Sequence, residues 1–403
     1  MVRDSEGRGV VCLAFIIALL AIFMPLYLVR ENRVAEGVLY GVAGLPKRRC
    51  LFFVLLPIVL HSFALFGPSR EARKRMAVIS SFLGAISLMF FLSGVSAYYE
   101  AVGPESVRIA PGPGLLLLAF SLMVPLLGFE MPSLIALFGG GALISAAWFL
   151  IATGRLDALG VLKEAANRQD RLLAEIVNHV RISSTAVLFA SLLGIPSAFL
   201  ISRGSKAKKT FLGVMNVLQT VPSIALFGLL IAPLAALSRT FPVLREMGIR
   251  GIGDTPAIIA LSIYAMYPIL RNTLAGIEGV SPSVLDSAEA MGMNRREMLK
   301  IIIIPLTLPF VVHGVRLAMI QSIANATLGK LIGSGGLGVF VFEGLGQFSV
   351  DMVVLGIIFL ALLTIGADAL FRIVGYMVIP KALQKQYYSD NRSSQSCKKN
   401  QPS

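Results

Sequence analysis

The stretch from Ser281 to Pro309 reads SPSVLDSAEAMGMNRREMLKIIIIPLTLP, and its residue types suit mechanical rather than covalent chemistry. Ser281 followed by Pro282 is a helix start, because Pro at the first helical position loses only an N–H that has no partner there. Gly292 can take the left-handed conformation that ends a helix. Asn294, with Glu297 three residues later, spells a capping box for a second helix. Val284, Ala288 and Met291 fall on one face at helical spacing. Pro305 opens the next apolar run. The pattern predicts a helix–turn–helix held at a membrane surface between two apolar spans. Such an element can dock on a partner; on these residues alone, an amphipathic loop lying on lipid fits equally well.

Other polar residues sit inside apolar runs. Gln219, Thr220, Pro222 and Ser223 combine hydrogen-bonding side chains with a helix breaker, and Asn325 and Thr327 stand near the end of a later run. Each group can line a translocation path or tie helices together. Gly333, Gly335 and Gly338 spell G-x-G-x-x-G, but the motif lies between two apolar runs, not between a strand and a helix, so it predicts no nucleotide site. With Gly336, it predicts a close-packed segment beside the path, or else a flexible turn. Asp368 and Arg372 are four apart and can pair on one helix face. His61, His179 and His313, like Cys12, Cys50 and Cys397, are scattered without metal or redox spacing. No metal site and no catalytic set is predicted, and the chain is not expected to be an enzyme. Gly329-Lys330 is followed by Leu331 and lacks the upstream glycine of a P-loop, so ATP is not expected to bind here.

Composition identifies the solvent of these elements. The 403 residues are 56% hydrophobic and only 14% charged, against roughly 25% charged in soluble domains. The mean hydropathy is +0.79. Lipid, not water, is the expected surroundings. The net charge of +14 comes from short Lys/Arg clusters between apolar runs, where they meet headgroups and set orientation, so a nucleic-acid partner is not expected.

The predicted architecture is all-α, a polytopic transmembrane helix bundle of about ten spans. They lie near 10–29, 51–67, 76–98, 114–129, 133–152, 180–202, 211–237, 256–276, 301–324 and 352–379, each close to the roughly 20 residues that cross a bilayer. The first is read as a retained helix, since no A-x-A cleavage site follows it. Arg70, Arg73, Lys74 and Arg75, then Arg203, Lys206, Lys208 and Lys209, then Lys381, Lys385, Arg392, Lys398 and Lys399 place three segments inside, with both termini cytoplasmic. The loop with Arg30, Arg33, Lys47, Arg48 and Arg49 then faces outside, against the rule; Arg239, Arg245 and Arg250 are a milder conflict. Four parts are expected: N-terminal helices (1–155), a polar extracytoplasmic connector (156–179), a second membrane block (180–380) with the 281–305 loop, and a disordered polar tail (381–403).

The 281–305 loop resembles the EAA loop of ABC importer permeases, whose pattern is E-A-A, three residues, G, nine residues, I-x-L-P. Asp286, Ser287 and Ala288 stand at the first three positions, followed by Glu289. Gly292 stands at the glycine, and Ile302, Ile304 and Pro305 at the end. Asp for Glu, Ser for Ala and Ile for Leu depart from the pattern. Asn216–Ala235, Thr255–Ile277 and Leu331–Gly338 are similar to the permeases of glycine betaine, carnitine and choline importers. The connector KEAANRQD and the extra N-terminal spans resemble the longer members of that group.

The resemblance implies an ABC importer transmembrane domain with extra N-terminal helices in a bacterial inner membrane. Its loop would insert into a separate ATP-binding subunit, present in two copies, which carries ATP and Mg. A second permease chain, or a second copy of this one, would complete the channel. A periplasmic substrate-binding protein would capture the solute. A methionine or other small-solute ABC permease shares the loop and the glycine segment. An ion-coupled secondary transporter would need mid-span acids and an internal repeat, and neither is evident.

Overall fold

The computed structural model describes residues 2–33, 35–129, 133–202, 204–246 and 248–379. The tail expected to be disordered (381–403) and Arg203 lie outside them. Eight described helices are long and apolar enough to cross a membrane, and two shorter apolar helices, Gly7–Ala21 and Pro113–Gly128, accompany them. The chain divides into two compact units, Met1–Arg168 with Ser349–Met352, and Gln169–Phe348 with Val353–Ser403.

The first unit contains α1 (Val2–Ala21), β1 (Tyr27–Arg30), β2 (Val38–Tyr40), α2 (Arg48–Leu65), α3 (Arg70–Val102), β3 (Arg108–Pro111), α4 (Pro113–Gly128), α5 (Ser133–Ala152) and α6 (Gly160–Asn167). The first span, expected over 10–29, is corrected: its helix ends at Ala21. Pro25 has no N–H to continue the helix and disfavours the α conformation at Met24. The β-prone run that follows pairs antiparallel with β2 and β3, in the order β2-β1-β3, with Leu28 opposite Leu39 and Ala110. Tyr27 is fully buried, stacks on Tyr40 at 5.3 Å and meets Phe91 and Tyr99 edge-on. Its hydroxyl donates to the Gly44 carbonyl at 2.6 Å.

Charge at this end of the unit is internally paired. Glu164 on α6 is 1% exposed and accepts from Arg108 at 2.8 Å, Arg33 at 3.0 Å and Arg168 at 3.0 Å. Arg108 also lies 3.9 Å from Asp351. Strand pairing and these ion pairs hold the segments around 27–40, 104–111 and 158–168 on one side of the unit. Arg33 and Arg108 are thus matched by a buried carboxylate.

The second unit contains α7 (Gln169–Ile201), α8 (Ser205–Thr220), α9 (Ser223–Thr240), α10 (Pro242–Glu246), α11 (Asp254–Glu278), α12 (Pro282–Ala290), α13 (Arg295–Glu297), α14 (Ile304–Ala326), α15 (Gly338–Gly346) and α16 (Val350–Val378), the last beginning within the first unit's Ser349–Met352. Its centre is the packing of α7, α11 and α14. Small residues let the backbones approach: a Cβ on Gly314 would lie 3.1 Å from the Pro268 carbonyl. One more expectation is corrected. The span expected over 211–237 is two helices, α8 and α9, broken at Val221-Pro222, where the missing N–H of Pro222 interrupts the ladder. Within the stretch 156–179, residues 160–167 form α6, and from Gln169 the residues are the first turns of α7.

Candidate functional site

The 281–305 loop has the cap chemistry that its residues predict. Pro282 starts α12. Gly292 has φ +80 with open space around it. The Asn294 side chain accepts from the Arg296 and Glu297 amides at 3.0 Å each, and the Asn294 amide donates to Glu297 at 2.8 Å, closing the capping box. Ser281 differs from expectation: its hydroxyl pairs with that of Ser283 at 2.8 Å and caps nothing. Between α13 and α14 the chain makes one π-helical stretch, Met298–Ile303, in which the Ile304 amide reaches back to Leu299. Pro305 then enters α14 without a donor for the Ile301 carbonyl, and the wider turn absorbs that loss. Of the apolar face, Ala288 is buried, whereas Val284 and Met291 are exposed, with Asp286, Ser287 and Glu289 exposed beside them. The loop carries one closed capping box and exposes two apolar side chains and two carboxylates.

The break between α8 and α9 is stitched by side chains from neighbouring helices. The Tyr264 hydroxyl on α11 donates to the Val221 carbonyl freed at the break. The Gln219 amide donates to the Tyr264 carbonyl at 2.7 Å, and Gln321 on α14 donates to Gln219 at 3.4 Å. Gln219 therefore gathers with Tyr264, Gln321 and the Val221 carbonyl beside Pro222 at one polar seam; among the described residues no hydrogen bond brings Ser223 into it. Thr220 does not join it; its exposed hydroxyl folds back onto the Val217 carbonyl at 2.7 Å. Sequence reasoning missed Tyr264 and Gln321, whose polar groups in apolar runs were the available signal.

The glycine segment is the most elaborately held part of the unit. Thr327 opens a 3-10 turn to Ile332, and Gly333, Gly335 and Gly336 follow with φ +80, +76 and +82. No strand precedes it, so the G-x-G-x-x-G is a turn. A Cβ on Gly338 would lie 1.9 Å from the Thr327 carbonyl, so only glycine fits there. Three side chains of α7, at spacing i, i+3 and i+4, reach this turn. Glu175 accepts from the Gly336 amide at 2.6 Å, Asn178 donates to the Ser334 carbonyl at 2.9 Å, and His179 accepts from the Leu337 amide at 3.2 Å through Nδ1. A backbone amide can only donate, so Nδ1 is unprotonated and Nε2–H donates to the Ile323 carbonyl at 2.9 Å. The imidazole, fully buried, is neutral with both nitrogens satisfied.

Asp254, at the start of α11, accepts from the Ser334 hydroxyl at 3.0 Å and pairs with Arg181. Glu343 on α15 pairs with Arg171 at 2.6 Å and Lys330 at 3.0 Å. Burial works to raise the Glu343 carboxyl, but the hydrogen bonds from Arg171 and Lys330 outweigh it and hold the group below the usual carboxylate range. The scattered His179 thus belongs to a latch on the glycine turn. Asn325 and Thr327 lie half-buried immediately before that turn. On α16, Asp368 takes the expected Arg372 at 2.9 Å and also Arg316 of α14 at 2.5 Å. Among the described residues no group of His, Cys, Asp or Glu could hold a metal ion.

Residues 190–378 match the family described as "Binding-protein-dependent transport system inner membrane component". The carnitine transport permease protein OpuCB of Listeria monocytogenes is 36% identical over 214 residues, covering 53% of this chain and 91% of that protein. This chain belongs to the same family of ABC importer permeases. The choline transport system permease protein OpuBB of Bacillus subtilis is 33% identical over 53% of this chain and 91% of its own length. A solved structure of the inward-facing MetNI methionine ABC transporter is also similar, with a TM-score of 0.45 at 19% identity, covering 52% of this chain and 96% of that one. As a permease of this family, the protein is a multi-pass transport subunit that works with an ATP-binding subunit. The loop, the helix break and the glycine turn all lie within residues 190–378, whereas Glu175, Asn178 and His179 precede them.

Proposed function

We propose that this permease imports a small osmoprotectant of the glycine betaine, choline or carnitine kind across a bacterial inner membrane by alternating access. The observation that carries the solute class is the similarity to permeases named for carnitine and choline at 36% and 33% identity. The seam of Gln219, Gln321 and Tyr264 supports it: neutral amides and a hydroxyl offer no fixed charge to trap a quaternary ammonium solute. Capture belongs to a periplasmic binding protein, and a second permease chain or a second copy of this one completes the path. ATP and Mg sit on two copies of a separate ATPase, each docked on a 281–305 loop through Val284 and Met291, with Asp286, Ser287, Ala288 and Glu289 in the docking helix. Gly292 and Pro305 fix its angle. Closure of the ATPases moves the two loops, and the helix break at Pro222, with Thr220, Ser223, Asn325, Thr327 and the turn at Gly333, Gly335 and Gly336, lines the path that opens.

Uptake of labelled glycine betaine, choline, carnitine and methionine into proteoliposomes holding the whole transporter tests the solute. ATP-dependent uptake of one of the first three is expected. Uptake of methionine alone would overturn the solute class, and uptake driven by an ion gradient without the ATPase would overturn the mechanism.

A further inference from the structure

In the first unit, α3, α4 and α5 surround an open cavity of about 320 Å³. Its walls are two helical ridges, Ala85, Met89 and Leu92 on α3 facing Leu116, Ala119 and Met123 on α4, with Leu143 of α5 on the third side. Ser81 is the one polar side chain in the lining, and its hydroxyl is already committed to the Ala77 carbonyl at 3.0 Å. No lining side chain therefore awaits a hydrogen-bond partner. Such a cavity rejects water and polar solutes, and left empty its walls forgo dispersion contacts.

The dimensions select the occupant. The walls run from Ser81 to Leu92 and from Leu115 to Leu126, which at 1.5 Å per residue is about 16 Å. That is about half of the roughly 30 Å hydrocarbon core, the depth of one leaflet. At a water-like volume of about 30 Å³ per group, the space takes about ten methylenes. Pro111, in β3, lines the end of the cavity nearest the small sheet.

We propose that this cavity is a binding site for one acyl chain of a membrane phospholipid, filling the space between α4 and α5. The need for it is visible in α5. Only 6% of its apolar window is buried, and its main packing partner is α3. An acyl chain against Leu143 adds hydrocarbon contacts between α5 and α4.

The test uses the full chain in phosphatidylcholine vesicles doped with a phosphatidylcholine that carries a diazirine midway along one acyl chain. After photolysis, the labelled peptides are mapped by mass spectrometry. Label on Met89, Ala119 and Leu143 is expected in the unaltered protein. Ala119→Phe, which fills the space, should remove it from Met89 and Leu143 and leave label on Leu137, Phe138 and Trp148, which are 69%, 72% and 73% exposed on α5, unchanged; the gentler Ala85→Val should lower it less. No label on Met89 and Leu143 in the unaltered protein would overturn the proposal whether or not either variant folds. So would cavity label that survives filling, or cross-links from the cavity to a helix of a second copy.

Discussion

His179→Phe removes two hydrogen bonds from the latch while keeping an aromatic ring in the buried slot. The Leu337 amide loses its acceptor at 3.2 Å and the Ile323 carbonyl loses its donor at 2.9 Å. Both lie where water cannot replace the imidazole, since His179 is fully buried. A buried polar group left without a partner costs about 1–3 kcal/mol, so the pair costs about 2–6 kcal/mol. The loss is local to the turn, because Glu175 and Asn178 still hold Gly336 and Ser334. If the Leu337 amide exchanges by local opening, about 2 kcal/mol speeds it about 30-fold. Hydrogen exchange followed by mass spectrometry over 333–340 reads this directly. Exchange accelerated about 30-fold or more in this segment, with α3 and α4 unchanged, is the expected outcome. Protection equal to the unaltered protein would refute the latch, since it would mean that these bonds contribute nothing to holding the turn.

Three further outcomes follow from the same geometry. Gly292→Val places a β-branched side chain at φ +80, where the left-handed region costs about 1–2 kcal/mol; expression and helix content should be retained while ATP-dependent uptake falls. Glu343 has a folded-state pKa below its unfolded one, so its pairing stabilises the protein above about pH 4.3 and is lost as pH falls through the lower folded value. Glu343→Gln should flatten the acid limb of a stability-versus-pH curve. Glu164→Ala strips the buried Arg108 of its nearer carboxylate at 2.8 Å and leaves it Asp351 at 3.9 Å; breaking a buried pair costs about 3–5 kcal/mol. A large fall in thermal midpoint is expected, confined to the first unit in hydrogen exchange.

What the sequence disclosed depended on how local the physics was. The capping box of Asn294 and Glu297, the left-handed Gly292 and the start at Pro282 were legible because each is decided within four residues. The apolar helices were legible as runs, but run length hides boundaries. Tyr27–Val29 continues the apolar run of the helix before it, and only Pro25 marks the change. The break at Pro222 was legible as a breaker inside a span, but not as a division into two helices, because that depends on Tyr264 taking the freed carbonyl. The latch was not legible at all. Glu175, Asn178 and His179 meet residues more than 150 positions away, and no spacing in the chain encodes that meeting.

On the proposed mechanism, the force of ATP closure enters this permease through the 281–305 loop. Met291, 69% exposed beside the left-handed Gly292, is the position to probe. Met291→Cys, in a chain whose Cys12, Cys50 and Cys397 are replaced by Ser, labelled with benzophenone maleimide and reconstituted with the ATPase subunit, should photo-cross-link to that subunit by insertion into a C–H bond, and the yield should change when ATP replaces the nucleotide-free state. A cross-link that forms elsewhere, or a Met291→Cys thiol equally open to maleimide with and without the ATPase, would contradict it.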